Sequence, residues 1–501
     1  MEADERQFSE LIRCKSESFS QFCWYIINCS EQNILIERTP LGTFFQEVRR
    51  LEEILDAYGA RHNAYWLPLR RVVAAAKFAS DGLYKALHLK YAIPFYHVKP
   101  IDGDCPSAID CAVDEFTTIL ARISQEYLDT YKRLGVAVSD KQPIEYCSDA
   151  ETPPFQLARD IPNRIAPDPG RTIINLSTFF LNLIETSGIA ELYENTEHSD
   201  INTYIPELMD ENDLRRFEND FHSIQAAYDT SLAGTDVESE DPDLRYLRGH
   251  VTVIYHLMEI ATAVTHYYER HVLGAAEDSP ARSILPEETA QFLLINFCLG
   301  YAAEYLQIAQ DLCRELLGRY AEIGELAVPV PTYRGFHVRP SSLVAKIVRH
   351  YGTDVTMSLG EEVCDASSPM DIIRLNERIY AEKRHRLAED VTRLAGEIGG
   401  DDPLRVILSL LEEERIVLYS GDIQLKDFPR IPDETLAEYT NRAVARLLAT
   451  GKIDIRSDIT VQLRGDIRVL QDVQTLARHG YGEDAVGNNV TLPVELGYLK
   501  R

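Results

Sequence analysis

Apolar residues recur at intervals of three and four positions through the first two thirds of the chain. The spacing is clearest in Phe44–Leu55 and Phe116–Tyr127, and two longer segments, about Leu244–Leu273 and Pro286–Tyr320, are apolar nearly all round. Helices that are apolar nearly all round occupy the centres of helical bundles. No long alternation of apolar and polar residues, as strands show, occurs before residue 325. The pattern predicts an all-α domain over residues 1–325.

One stretch of this region lacks helical periodicity. Prolines are frequent from about Val136 to Arg171, and apolar residues are scattered among them. A loop of this length inside a compact domain is unusual. We predict that it packs on the helical body through its apolar residues Tyr146, Phe155, Ile161 and Ile165.

The hydrophobic pattern changes at Leu326, where short apolar runs begin to alternate with helical segments. Pro329 and Pro331 flank the first run, which predicts an edge or shortened strand. The elements predicted after it are a helix ending at Gly352, extended residues at Asp354–Val363, a helix from Ser368, a strand at Asp458–Gly465 and a helix at Ile467–Arg478.

The stretch Tyr333–Leu343 carries the strongest chemical signal. Gly335 permits a tight turn, and Pro340 suits the first turn of the helix that follows. His337 therefore lies just ahead of a helix N-terminus, where free N–H groups and the helix dipole favour a phosphate. A neutral imidazole is a competent nucleophile, and the guanidinium of Arg339 can hold phosphate oxygens. The alternative is a structural or surface histidine, since the chain has 13 histidines.

Residues Gly335–Pro340 read G-F-H-V-R-P, which resembles the G-[LIF]-H-x-R-P signature of the HPr family, the phosphocarriers of the sugar phosphotransferase system. The apolar helix, the extended residues 354–363 and the segment Ser368–Leu375 follow in the order of that family's first helix, hairpin and second helix. The resemblance covers roughly 50 continuous residues and leaves the first 325 unassigned.

The resemblance implies an α+β open-faced sandwich in which His337 accepts a phosphoryl group on Nδ1. Arg339 would neutralise the phosphate, and N–H groups of the helix that starts near Pro340 would bind its oxygens. Ser341 and Ser342 stand where the family often has alanine. Their hydroxyls would either stabilise the phosphate as well or cap the helix.

The resemblance also implies a regulatory serine at the start of the second helix. Ser368 matches that position best, and Ser367 is the alternative one residue away. Pro369 directly after it departs from the family, so regulation by a kinase stays open.

The domain organisation follows from these elements. We predict an HPr-like domain over residues 326–501, with a core of residues 326–379 and 456–480. Residues from about 380 to 455 are predicted to be a helical insertion, because helical patterns there separate the second helix from the last strand. A tail at 481–501 lies outside the family pattern, and we expect it to pack on the helical domain.

Charge and cysteine content narrow the classes of partner. A net charge of −29 argues against binding to nucleic acid or anionic membranes. Around the motif, at 330–360, four cations face Asp354 alone, which suits an anionic ligand. The nine cysteines form no C-x-x-C pair, and no run of 18 uninterrupted apolar residues predicts membrane insertion. We expect a cytoplasmic protein.

A second group of candidate residues lies in the helical domain. His256, Glu259 and His266 are spaced i, i+3 and i+10, which brings all three near one helix face. Inward His and Glu residues hold haem or metal ions in helical bundles. No matching Glu-x-x-His motif accompanies them, so core histidines paired with Glu or Tyr are the alternative. No cofactor is otherwise assigned.

Two functions follow as hypotheses. In the first, the chain is a phosphocarrier or a phosphorylation-responsive regulatory protein that accepts a phosphoryl group on His337. It would be a phosphoacceptor rather than an independent catalyst, and its donor would be an Enzyme I-like phosphohistidine protein or another phosphotransferase-system protein. In the second, an unphosphorylated HPr fold is a docking module beside a helical domain that binds a ligand, haem or a metal. Homo-oligomerisation is left open.

Overall fold

The computed structural model describes residues 5–136, 163, 165, 167–188, 201–277, 279–419 and 428–500. The loop predicted at about Val136–Arg171 lies mostly outside these residues. Ile165, which was expected to pack on the helical body, is described and is 90% exposed, so that expectation is wrong for Ile165. The described chain is mostly helical, with a small antiparallel sheet near the C-terminus. It divides into two compact units, residues 1–313 and residues 314–501. The sequence boundary was predicted at 325, after the helix that crosses this division.

The first unit consists of helices in the part of it that the structure describes. They are α1 (Glu5–Lys15), α2 (Glu17–Glu31), α3 (Arg38–Ala57), α4 (Leu67–Ala92), α5 (Cys105–Arg133), α6 (Pro169–Ser187), α7 (Ile201–Tyr204), α8 (Glu211–Ser231), α9 (Asp236–Glu240), α10 (Pro242–Tyr267), α11 (Pro280–Ile284), α12 (Glu287–Gln291) and α13 (Gly300–Tyr320). Two π-helical stretches, Tyr268–Val272 and Phe292–Leu299, continue α10 and join α12 to α13.

Local sequence accounts for the long helices. Helix α5 begins at Asp104, whose carboxylate accepts a hydrogen bond from the Ser107 N–H at 3.2 Å and satisfies one of the free donors of the first turn. Its buried residues include Phe116, Ile119, Leu120, Ile123 and Tyr127, which are the stripe predicted from spacing.

The two segments that are apolar nearly all round are the central helices. Helix α10 buries residues on every side, as expected for a helix surrounded by others. Gly249 in α10 allows a close approach, because a Cβ there would stand 1.9 Å from the carbonyl oxygen of His97. The stretch Glu287–Tyr320 is long and apolar enough to cross a membrane, and most of its apolar part is buried inside the protein.

The second unit contains a four-stranded antiparallel sheet of β1 (Ile323–Pro329), β2 (Thr356–Leu359), β3 (Glu362–Asp365) and β6 (Thr460–Asp466). The order is β1-β6-β2-β3, so the last strand pairs with the first and with β2. Strand β1 is at the edge, as its prolines predicted, but it keeps seven residues in register with β6 and is not shortened. Three helices pack on this sheet: α14 (Val338–Tyr351), the first half of α15 (Pro369–Ile398) and α18 (Ile467–Arg478).

Residues between α15 and β6 form a subdomain with a core of its own. It contains the second half of α15, α16 (Pro403–Glu412), a two-stranded ladder of β4 (Ile416–Leu418) and β5 (Ile453–Ile455), and α17 (Leu436–Ala449). Its core runs from Leu387 to Ile455 and is separate from the core under the sheet. Because α15 is one continuous helix, it connects the two cores.

The C-terminal tail does not follow its predicted course. Tyr481, Leu496 and Leu499 are buried in the core beneath the four-stranded sheet. The Tyr481 hydroxyl donates to the Pro329 carbonyl oxygen at 2.7 Å. Apolar residues at the end of the chain therefore complete the second unit, and the expectation that the tail packs on the helical domain is wrong for these residues.

Candidate functional site

The loop before α14 makes a tight turn through two left-handed residues. Arg334 has φ of 50° and Gly335 has φ of 57°. The buried amide of Asn376, on α15, holds both sides of this turn. Its Oδ1 accepts from the Phe336 N–H at 2.9 Å, and its Nδ2 donates to the Arg334 carbonyl oxygen at 3.2 Å. The turn is therefore fixed against the second helix of the unit.

A buried carboxylate from the inserted subdomain holds the same loop. Asp454, on β5, is 4% exposed and accepts the Arg334 backbone N–H at 2.8 Å. It also accepts the hydroxyls of Tyr380 at 3.1 Å and Tyr419 at 3.2 Å. Burial lowers the pKa of the nearby Lys383 ammonium, and the charge of Asp454 opposes that shift. Asp454 thus joins the loop, α15 and the insertion.

His337 is the N-cap residue of α14, and its carbonyl oxygen accepts the Ser341 N–H at 3.1 Å. Its side chain is about a quarter exposed (26%). Nδ1 lies 3.2 Å from the Gly335 carbonyl oxygen, and Nε2 lies 3.2 Å from Oε1 of Glu483. A neutral imidazole donates from one nitrogen only. When the neutral ring donates from Nε2 to the carboxylate, Nδ1 is unprotonated and makes no hydrogen bond to the Gly335 carbonyl oxygen that it faces.

Arg339 lies in the first turn of α14, beside the same carboxylate. Its Nη1 donates to Oδ1 of Asn489. Its Nε lies 3.9 Å from Oε1 of Glu483, which is close enough for charge attraction and too long for a hydrogen bond. Nε is buried and has no hydrogen-bond partner within the described residues. Among the described residues, an N–H donor with no acceptor therefore lies near the carboxylate that His337 also contacts.

The helix start supplies further donors. The first N–H groups of any α-helix have no intrahelical partner, and those of α14 follow His337 directly. Pro340 is the third helical residue and is buried, in agreement with its prediction for the first turn. Ser342 is partly exposed in the same turn.

Ser341 does not fit its predicted role. Its side chain is buried, and its hydroxyl donates to the Phe336 carbonyl oxygen at 2.8 Å. A hydroxyl has a single proton to donate, so Ser341 has none left for a phosphate. The residue closes the turn into the helix instead, and we correct its assignment.

The C-terminal tail covers this group of residues, here called the His337 site. Tyr333 stands edge-on to the His337 ring at 5.6 Å and contacts the Tyr419 ring at 5.2 Å. Gly487 packs against Tyr333, where a Cβ would lie 2.4 Å from the ring. Three tail residues therefore contact the site: Glu483 contacts the imidazole, Asn489 contacts Arg339 and Gly487 contacts Tyr333.

The two candidate regulatory serines begin α15. Ser368 is the N-cap residue, and its Oγ accepts the Asp371 N–H at 3.3 Å. The Ser367 hydroxyl donates to Asp365 at 2.7 Å. Both side chains are partly exposed. Their local roles in capping and turn formation account for serine at both positions.

The three residues predicted to hold haem or a metal ion do not come together in the structure. Nδ1 of His256 lies 2.8 Å from Oε2 of Glu259, and the His256 ring contacts His88 at 4.6 Å. His266 lies instead beside Glu211, with Nδ1 2.8 Å from Oε2. Within the described residues no group of three or more His, Cys, Asp or Glu side chains could hold a metal ion. All three residues lie on one helix, but His266 contacts Glu211 and does not join His256 and Glu259 in one site.

Sequence reasoning missed four residues of the His337 site: Asn376, Asp454, Glu483 and Asn489. They lie between 40 and 150 positions from the loop residues that they bind. No motif surrounds them. Their only signal is the placement of Asn376 and Asp454 at positions where the flanking apolar residues predict burial.

Comparisons with known proteins found no similar chain. No family model, no curated protein and no solved structure matches this sequence.

Proposed function

We propose that the second unit is an HPr-like domain that accepts a phosphoryl group on Nδ1 of His337. The observation that carries the proposal is the position of the imidazole at the N-cap of α14. Arg339 follows in the first turn, and its Nε has no hydrogen-bond partner among the described residues. Free helix N–H groups and a guanidinium together favour a phosphate at that point.

The arrangement of elements supports the same proposal. Strand, helix, hairpin, helix, strand and helix follow in the order that the resemblance implied, and three helices cover one sheet. The subdomain occupies the chain between the second helix and the last strand, where an insertion was predicted. The motif and this order of elements are the support for the proposal.

The chemistry is one transfer between two nitrogen atoms. The N–P bond of a phosphohistidine on an Enzyme I-like donor breaks, and a new N–P bond forms at Nδ1 of His337. Nδ1 faces the Gly335 carbonyl oxygen, so the ring turns about its Cβ–Cγ bond before attack. The donor protein supplies most of the catalysis, and the chain acts as acceptor. A cytoplasmic location is part of this proposal, since such donors are cytoplasmic by resemblance.

Labelling tests the proposal directly. The full chain is incubated with a phosphohistidine Enzyme I and labelled phosphoenolpyruvate, and acid-labile label is counted. We expect label on the wild type and none on His337→Ala. His385→Ala is the matched control, because that side chain is 72% exposed on α15 and remote from the loop. Equal labelling of His337→Ala and the wild type would contradict the proposal.

One observation favours the second candidate, an unphosphorylated docking module. Glu483 is 6% exposed in its side chain and holds a negative charge against His337. A phosphate at Nδ1 would approach that charge. An absence of label on the wild type and on Glu483→Gln would favour docking, because the charge would then not be what prevents transfer.

A further inference from the structure

A large cavity lies in the first unit, among α3, α4, α8 and the junction of α10 with its π-helical end. Its volume is about 750 Å³, in the range of sites for small organic molecules. Aromatic side chains form part of its wall. The rings of Phe78 and Tyr267 are both buried and stack at 4.5 Å with an interplanar angle of 11°, and Phe45 lines the cavity as well.

The rest of the wall carries an excess of positive charge. Six cationic side chains line it against three carboxylates: Arg61, Arg70, Arg71, Lys77, Arg215 and Arg270 against Glu52, Asp56 and Asp81. This excess occurs in a chain of net charge −29. The residues that line the cavity are therefore net positive, although the protein as a whole is strongly negative.

The carboxylates at the cavity are already shared among these cations. Asp56 binds both Arg70 and Arg61, at 2.6 and 2.9 Å. Glu52 binds Arg70 at 3.0 Å and Lys77 at 2.7 Å. In the described part of the chain, no carboxylate lies within ion-pair distance of Arg71.

The opposite side of the cavity repeats the pattern. Glu211 is the shared acceptor there, with Arg215 at 2.7 Å, His266 at 2.8 Å and Arg270 at 3.5 Å. Arg215 and Arg270, which are always charged, therefore share one carboxylate as their ion-pair partner, as Arg61 and Arg70 share Asp56 at the first side.

His271 is a partly buried histidine at this cavity. Burial first, and then the charges of His266, Arg70 and Arg71, lower the pKa of His271 to about 4. His271 and Arg270 belong to the π-helical turn Tyr268–Val272. π-Helical turns are rare and occur frequently at functional sites.

We propose that this cavity binds an organic phosphate whose aromatic or heterocyclic ring packs in the cavity while Arg71 and Arg270 hold the phosphate. The cavity is too large for inorganic phosphate alone to fill it. The apolar wall provides the area that a ring needs. The charge comes from Arg71, which has no ion-pair partner among the described residues, and from Arg270, which shares Glu211 with Arg215. The binding does not depend on His337.

Titration calorimetry on the full chain tests the assignment. The probes are adenosine 5′-monophosphate, adenosine and inorganic phosphate. We expect the monophosphate to bind at least about tenfold more tightly than either part, because each part loses one class of contact. Affinity should fall with added salt. Equal affinity for adenosine and the monophosphate, equal affinity for inorganic phosphate, or no binding of any probe at millimolar concentration would overturn the proposal.

Substitutions locate the site. Arg71→Gln is expected to weaken binding of the monophosphate by about tenfold, since a charge-assisted hydrogen bond is lost. Arg71 is exposed and has no ion-pair partner among the described residues, so the variant should fold normally. Arg122→Gln is the matched control, because Arg122 is exposed on α5 and does not line the cavity. The same loss in both variants would overturn the site, and His337→Ala should bind as the wild type does.

Discussion

The His337 site and the cationic cavity are built in opposite ways. At His337, six consecutive residues supply the turn, the imidazole, the guanidinium and the helix start. In the cavity, the charged side chains come from helices between residues 38 and 272, and no two neighbours form a motif. A site of the first kind is visible in the sequence. A site of the second kind exists only after the helices have packed.

The His337 site also depends on tertiary packing, because residues distant in sequence hold its loop. Asn376 and Asp454 bind its backbone, and Glu483 binds the imidazole. The motif supplies the chemistry, whereas tertiary contacts fix its geometry. Substitutions that separate these contributions test the comparison.

The largest effect is expected for Asp454→Ala. The substitution leaves the nearly buried Lys383 ammonium, 2% exposed, without its nearby counter-charge, and it leaves the backbone N–H groups of Arg334 and Ile455 unpaired. We expect a loss of about 3 to 5 kcal/mol in the free energy of unfolding of the second unit. Urea unfolding followed by circular dichroism measures it.

Asp458→Ala is the control for that measurement. Asp458 is 94% exposed and pairs with Arg386 at 3.3 Å on the surface. An exposed pair contributes little, so we expect a change within about 0.5 kcal/mol. Equal losses in the two variants would show that the insertion does not hold the loop.

Gly335→Ala tests the local half of the comparison. Residue 335 has φ of 57°, and a Cβ there would lie 2.3 Å from Oδ1 of Asn376. We expect a loss of about 2 to 3 kcal/mol in stability, because the left-handed backbone and the displaced amide both contribute. Gly360→Ala isolates the first contribution, since Gly360 has φ of 61° with no atom near its Cβ. A loss of about 1 kcal/mol is expected there, and equal losses would contradict the role of Asn376.

Much of the architecture could be predicted from the sequence because it depends on local spacing. Helix Ile467–Arg478 has the bounds predicted for it, and the edge position of β1 follows from its prolines. The course of the tail could not be predicted, since Leu496 and Leu499 carry no signal of which core they enter.

The candidate site divides in the same way. The N-cap position of His337 and the first-turn position of Arg339 follow from glycine and proline spacing. The sequence left two roles open for the Ser341 hydroxyl, a phosphate contact or a helix cap. It could not predict the hydrogen bond to the Phe336 carbonyl oxygen, because that bond depends on the path of the turn. The separation of His266 from His256 likewise depends on Glu211, which lies on another helix.

Acid should weaken the first unit through His271. The pKa of His271 is lowered to about 4 in the folded chain, so folding favours its neutral form. Stability is therefore lost as pH falls below the unfolded value of about 6.5, and the loss is complete below about 4. We expect a loss of about 2 kcal/mol across this window after allowance for partial exposure.

The comparison of variants isolates that contribution. The pKa of buried His250 is also lowered to about 4 and adds to the slope of the wild type. His271→Gln should flatten the dependence of unfolding free energy on pH by about half. His385→Gln, at an exposed position, should leave it unchanged. An unchanged slope in His271→Gln would remove the support that this histidine gives to a positive cavity.

The smallest effect is expected at Glu483, a residue distant in sequence that contacts the His337 motif. Its carboxylate, from the tail, lies 3.2 Å from Nε2 of His337 and 3.9 Å from Nε of Arg339. The substitution Glu483→Gln keeps a side-chain oxygen that accepts the Nε2–H and removes the negative charge, so it separates orientation of the ring from repulsion of phosphate. The Glu483 side chain is 6% exposed, but the His337 ring is 26% exposed, so a phosphate on it would lie next to water. Repulsion across several ångströms there amounts to about 1 kcal/mol, which predicts about a fivefold increase in the initial rate of labelling. Glu495→Gln, at an exposed position in the tail, is the control and should label as the wild type does. A slower rate in Glu483→Gln would mean that the charge of the carboxylate assists transfer, and the tail would then belong to the phosphoacceptor site instead of opposing it.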